Sequence, residues 1–231
     1  MTNEEINALS RRLGRIEAVQ DIENLMGRRA YLHSAGMNDR EFEECWSTRD
    51  DICFEAEDWG VWDGREAVIA AYVKENPFPG GTEGLLIEHC LTTQVLEVAE
   101  DGQTAKGVWI SPGHETFPIV PGEPPKPHWS WGRYSVDFVK EENGGWRIWH
   151  LHVLTTFRTP YDRSWVDAAL NRPEYFPKEG ATMEGMTPPS RPVTFNQPYH
   201  PDKAPAYQPV PPSPYRNWSE TTSYTDPLVK D

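Results

Sequence analysis

One stretch constrains this chain more than any other: Pro127 to Pro160, two long runs rich in aromatic and β-branched residues around Glu141-Glu142-Asn143-Gly144-Gly145. Such runs about a Gly-containing turn signal a β-hairpin. Period two puts Ser130, Gly132, Tyr134, Val136 and Phe138 on one face of the first strand, and Trp129, Trp131, Arg133, Ser135 and Asp137 on the other. In the second run it groups Trp146, Ile148, His150 and His152 against Arg147, Trp149, Leu151 and Val153. Neither face is cleanly polar. Both therefore need cover, one from helices or a cavity and the other from a partner subunit.

The rest of the chain reads as what surrounds this hairpin. Ile16, Val19, Ile22, Met26 and Ala30 recur at helical spacing and predict a helix from Asn7 to Ser34. At 100° per residue that stripe continues onto His33 and leaves Tyr31 pointing elsewhere. A short helix, Asp39 to Trp46, turns Phe42, Cys45 and Trp46 inward, with Asn38 or Asp39 as its cap. Asp51 to Trp59 reads as a strand, Gly60 to Gly64 as a turn, and Arg65 to Glu75 as a third helix stopped before Pro77. After the Gly/Pro loop at Pro77 to Thr82, a strand from Leu85 to Val98 returns as Thr104 to Ser111. Its inner face carries Ile87, His89, Leu91, Thr93 and Val95, opposite Ala105, Gly107, Trp109 and Ser111. The proline-rich stretch Pro112 to Lys126 reads as a lid or interface arm, not a central strand. Beyond Tyr161 a short helix, Ser164 to Leu170, precedes a tail rich in proline with scattered Tyr, Trp and Phe. Solvated linkers lack aromatics at that density. The reading is therefore a domain over 1–160 and an extended arm over 161–231, packed on the domain or on a neighbouring subunit.

Composition removes several classes of function. A net charge of −14 over 231 residues lacks the basic footprint of a nucleic-acid or anionic-membrane partner. Three cysteines at no metal-like spacing read as free thiols in a reducing compartment. The charged N-terminus has no secretory apolar region, and no apolar run is long enough to span a membrane, so a cytoplasmic protein is expected. No phosphate loop, G-x-S-x-G elbow or CxxC pair is present.

Helix, short helix, strand, helix and four long antiparallel strands make an α+β pattern, a curved sheet around a helical layer. In that order stand Gly64-Arg65-Glu66-Ala67-Val68, then Ile87-Glu88-His89-Cys90-Leu91-Thr92-Thr93, then Gly132-Arg133-Tyr134 and Gly145-Trp146-Arg147-Ile148. With the opening helix, these resemble the SnoaL-like branch of the nuclear-transport-factor-like superfamily over about residues 10 to 158. The resemblance implies a conical barrel with a pocket between helices and sheet. Within the superfamily the chain is similar to the scytalone dehydratase and hexachlorocyclohexane dehydrochlorinase types, which are cofactor-free lyases with a pocket histidine, here His89. Their opening helix supplies an Asp that orients this histidine; here Tyr31 or His33 stands at that place, and neither is a carboxylate. The aromatic-rich barrel and the arm also resemble cofactorless diarylpropane lyases, which release formaldehyde to leave a stilbene.

A lone strand histidine is more often a core residue, but the motif around His89 weighs towards a general base working near neutral pH. Tyr31 and His33 are its candidate helpers, and Tyr134 a donor to a developing oxyanion. Trp109 and Trp59 are candidate walls for an aromatic ring, with His128, His152 and Arg158 as further substrate contacts. His150 and His152 at i, i+2, with His89 or His128, could ligate a metal. No Asp or Glu neighbours them at ligand spacing, so no metal is expected, and the resemblance to cofactor-free lyases implies no cofactor. The expected function is a lyase on a small phenolic substrate, by deformylation or acid/base elimination. The alternatives are a dehydratase, isomerase or polyketide-cyclase-like enzyme, and a non-catalytic small-ligand-binding protein. Trp129, Trp131, Arg147 and Trp149 on the outer face predict a homodimer or homotrimer, with the arm crossing to a neighbour.

Overall fold

The computed structural model describes residues 1–56, 59–76, 78–117, 123–171, 187–195 and 197–226. Parts of the predicted loops and arm (Pro77, 118–122, 172–186 and 227–231) lie outside these residues. The opening helix α1 spans Asn3–Ser34, and α2 spans Asn38–Cys45. Strands β1 (Cys53–Ala56) and β2 (Gly60–Asp63) lead into α3 (Arg65–Val68), which continues as a π-helical stretch, Ile69–Lys74. Then come β3 (Leu86–His89), β4 (Thr92–Val98), β5 (Thr104–Phe117), β6 (Lys126–Lys140), β7 (Trp146–Pro160) and α4 (Trp165–Leu170). The sheet order is β2-β1-β7-β6-β5-β3, with β4 also on β5; β1 runs parallel to β7 and the other pairs are antiparallel.

The second half of α1 lies on the sheet through Ala18, Ile22, Leu25, Met26, Arg29 and Leu32, so Ile16 falls off the buried stripe. Phe42, Cys45 and Trp46 are buried under α2 as the periodicity predicts, and Glu41 is buried with them. Several local expectations are corrected. The predicted turn Gly60 to Gly64 contains β2, hydrogen-bonded to β1. The predicted single strand from Leu85 to Val98 is broken at Cys90 and Leu91 into β3 and β4.

Pro112 was expected to end a strand, yet β5 runs straight through it, opposite Trp131 of β6. Its carbonyl accepts from the Cys90 N–H at 3.0 Å. In an extended residue the N–H and C=O point the same way, so the donor Pro112 lacks would face Cys90, just past the end of β3, and only one bond of that edge is lost.

The hairpin faces are also corrected. The β6/β7 register passes from Asp137↔His150 to Phe138↔Ile148, a bulge that changes the parity of β7. Ile148 therefore faces inward with Phe138, while His150 and His152 face outward with Asp137 and Ser135. The outer face is covered by residues 187–195 and 197–226 of the same chain. Arg191 bridges Val61, Tyr199 N–H donates to the Thr156 carbonyl at 2.7 Å, Trp218 packs on Trp149 at 4.6 Å, and the Tyr215 hydroxyl meets that of Thr104 at 3.1 Å. Beneath them lie Lys106–Asp137–His150 and Glu55–His152. Trp131 stacks on Phe157 and Trp129 on Tyr161, again within the chain.

Candidate functional site

The inner face of the sheet gathers two parallel sets of side chains. His89 ends β3 opposite Gly113 of β5, and two residues further along β5 the Glu115 carboxylate lies 2.9 Å from His89 Nε2. Glu115 also pairs with Arg158 of β7, whose Nε is 2.9 Å away. Only 2% of the Glu115 side chain is exposed. Burial alone would raise its carboxyl, but Arg158, His89 and Ser130 more than offset that and hold it at about 2. A carboxylate so ionised only accepts, so His89 Nε2 carries the hydrogen. In the neutral ring Nδ1 then keeps its lone pair, 3.5 Å from the Tyr134 hydroxyl.

Gly113 makes this packing possible. A Cβ built there would stand 2.5 Å from the His89 ring and 2.7 Å from the Glu88 carbonyl, so the imidazole lies on bare backbone.

The second set comes from the helices. Glu41 of α2 is wholly buried, with Arg29 Nε at 3.0 Å, His33 Nδ1 at 3.1 Å and the Tyr72 hydroxyl donating at 2.6 Å. Arg29 Nη2 in turn donates to the Tyr72 oxygen at 3.0 Å. Burial works against the Glu41 charge, and Arg29, His33 and Tyr72 together still bring its carboxyl below the usual value. Burial lowers His33, which is therefore neutral at pH 7, with its hydrogen on Nδ1 towards Glu41 and an open Nε2. Burial also pushes the Tyr72 phenol well up, keeping it a donor.

The two sets meet at the imidazoles. The His33 and His89 rings are 5.9 Å apart between centroids, and Arg29 lies 5.1 Å from the centre of the Tyr134 ring. Both histidine side chains are 18% exposed, whereas their carboxylates are 0% and 2% exposed. The carboxylates are fully enclosed, and the imidazoles lie nearer the surface. Such an arrangement suits taking a proton from one substrate atom and returning it to another nearby.

The structure brings together His89, His33, Tyr134 and Arg158 of the sequence candidates. His128 lies on the same face, opposite Glu115, and burial holds its imidazole low. Trp109 lines the inner face, buried, its indole donating to Gln94 at 3.3 Å and its edge on Phe138. Trp59 packs at the edge of the core. Two candidates fall away. Tyr31 is 84% exposed on the outside of α1. His152, turned outward by the bulge, sits beneath the arm with Nδ1 3.2 Å from the Tyr224 carbonyl. Among the described residues no group of three or more His, Cys, Asp or Glu is placed to hold a metal ion.

Sequence reasoning missed Arg29, Glu41, Tyr72 and Glu115. Glu115 continues the inner-face alternation of Trp109 and Ser111, beyond the Pro112 at which the sequence pattern ends the strand. Glu41 is four residues before Cys45, on the face already predicted to be buried.

Residues 14–152 match the model of the SnoaL-like domain, and the chain belongs to that family. No curated protein matches its sequence. Among solved structures it is similar to a scytalone-dehydratase-like protein from Novosphingobium aromaticivorans, at 19% identity and TM-score 0.51, over 64% of this chain and 91% of that one. It is also similar to LinA, at 16% identity and TM-score 0.53, over 67% and 96%. A third is the LinA-type3 hexachlorocyclohexane dehydrochlorinase from Novosphingobium barchaimii, at 18% identity and TM-score 0.51, over 66% and 95%. At these identities the likeness is one of fold: a curved sheet wrapped around helices.

Proposed function

We propose that this SnoaL-like protein is a lyase that moves protons without a cofactor, acting on a small phenolic substrate of the diarylpropane type. The observation that carries the reading is the His89 imidazole, anchored through Nε2 on ionised, buried Glu115, with Nδ1 turned to the Tyr134 hydroxyl.

In a deformylating elimination His89 Nδ1 takes the proton of a hydroxymethyl O–H. The C–C bond to that carbon breaks and formaldehyde leaves. The released electron pair forms the alkene and expels a hydroxide from the neighbouring carbon. Tyr134, or His89 returning its proton, protonates that hydroxide to water. Diol gives stilbene, formaldehyde and water, so atoms and charge balance with no oxidant or reductant. Arg29 beside Tyr134 favours negative charge as it develops at that hydroxyl, and a preorganised donor of this kind is worth about 3 kcal/mol in the transition state. His33, neutral and adjacent, is a second acceptor for the same proton. Trp109 forms part of the inner wall that keeps water from the reacting atoms.

The test is incubation of the purified protein with a panel of 1,2-diaryl-1,3-diols, following stilbene absorbance and released formaldehyde. Formation of both in equal amounts is expected. Stoichiometric binding of the panel without turnover would replace the lyase with a ligand-binding member of the family.

A further inference from the structure

The first half of α1 has no role in the site and makes no packing contact that buries it. From Met1 to Glu17 every residue is exposed except Ala8, which is half-buried. Yet this stretch is not a plain solvated helix. Ile6, Leu9, Leu13 and Ile16 are 44%, 55%, 53% and 66% exposed, and they recur at spacings of three and four along one side. That is the a/d pattern of a coiled-coil seam over two heptads. A helix of about fifteen residues is marginal in water by itself, so a free-standing one with an apolar seam calls for a partner along that seam.

Charge identifies the partner. The first turn carries Glu4 and Glu5, and Arg11, Arg12 and Arg15 follow on the next turns. A second copy laid antiparallel sets the acidic end of each helix against the arginines of the other, and the two helix dipoles oppose each other favourably. A parallel copy would set Glu5 against Ser10 and Arg12 against Glu17, and would lay the two helix dipoles side by side in the same sense, so the dipoles favour the antiparallel pair.

We infer that α1 is a self-association element, pairing with α1 of a second copy as a short antiparallel coiled coil. Ile6 faces the partner's Ile16, and Leu9 the partner's Leu13. With the seam so placed, Glu5 and Arg12 occupy the flanking positions that meet across an antiparallel pair, giving two equivalent Glu5–Arg12 contacts about the two-fold axis. Glu5 uses Oε2 to accept from the Thr2 N–H in the helix cap, which leaves Oε1 for the arginine. The contact lies apart from the arm-covered outer face and leaves the His89 site untouched.

Sedimentation equilibrium on the full chain tests this. A concentration-dependent dimer is expected, and Leu9→Glu with Leu13→Glu should weaken it at least 100-fold while the sheet domain stays folded. Arg12→Glu, which faces like charge, should weaken it more than tenfold. Adding Glu5→Gln, which keeps the cap, should recover most of that loss. For orientation, Leu9→Cys and Leu13→Cys chains in a Cys90→Ser background should form the mixed disulfide on oxidation in preference to either self-disulfide. A monomer at all concentrations would overturn the inference. So would a dimer indifferent to Leu9→Glu with Leu13→Glu, or a preferred Leu9→Cys self-disulfide, which would mean a parallel pair.

Discussion

Replacing Glu115 by Gln perturbs the site at its best-defined point. The carboxyl sits at about 2, against an ordinary value of 4.5. A depression of roughly 2.5 units at 1.36 kcal/mol per unit corresponds to about 3 kcal/mol. Because the folded value lies below the unfolded one, this stabilisation is fully present above pH 4.5 and fades as pH falls towards 2. Glu115→Gln should therefore cost about 3 kcal/mol at pH 7, a large part of the stability of a domain this size. The Arg158 side chain, 22% exposed, is partly hydrated and limits any further loss. The same change frees the tautomer of His89, since an amide can donate to Nε2 as readily as accept from it. Turnover should fall by about 10²-fold. Urea unfolding followed by tryptophan fluorescence at pH 7 and pH 3 gives the first quantity. The wild type should lose stability between the two relative to the variant. Equal unfolding free energies at pH 7, with parallel acid slopes, would refute the reasoning.

Other outcomes follow from the same contacts. Gly113→Ala should displace the His89 ring and abolish most turnover while the protein stays folded, as circular dichroism alongside the stilbene assay would reveal; unchanged kinetics would contradict the close packing. Tyr31→Ala, at an exposed position, should leave kcat and KM within twofold of wild type. Glu55, raised by burial to about 7 and hydrogen-bonded to Thr194 of the arm, favours its protonated form in the folded protein. Its contribution is present below pH 4.5 and is lost as pH rises through 7. The stability difference between wild type and Glu55→Gln should therefore move by about 3 kcal/mol across that window, and a constant difference would refute it.

The fold was largely legible because its signals are local. The hairpin announced itself by alternation and an Asn-Gly-Gly turn, and the phase of α1 favoured His33, although Tyr31 stood beside it as an open alternative. Two features were hidden by rules that hold on average. Proline argues against a central strand, but Pro112 happens to direct its missing donor at Cys90, just past the end of β3, and only one bond of that edge is lost. Period two assigned His150 and His152 to the face of Trp146 and Ile148, and a bulge at Trp149 reversed them, since parity carries no information about insertions. The site suffered more than the fold. Its carboxylates, Glu41 and Glu115, lie on elements remote in sequence from the histidines they hold, and a buried Glu looks in sequence like any surface Glu. Only the strand extension through Pro112 would have brought Glu115 onto the inner face with His89.

In the proposed reaction His89 is the group that takes the substrate proton. The most direct measurement is steady-state stilbene formation by His89→Ala, with folding checked by circular dichroism. A fall in kcat of at least ~10²-fold in a folded protein is predicted. Near-normal turnover by His89→Ala on the same diol would contradict it and shift the base to His33.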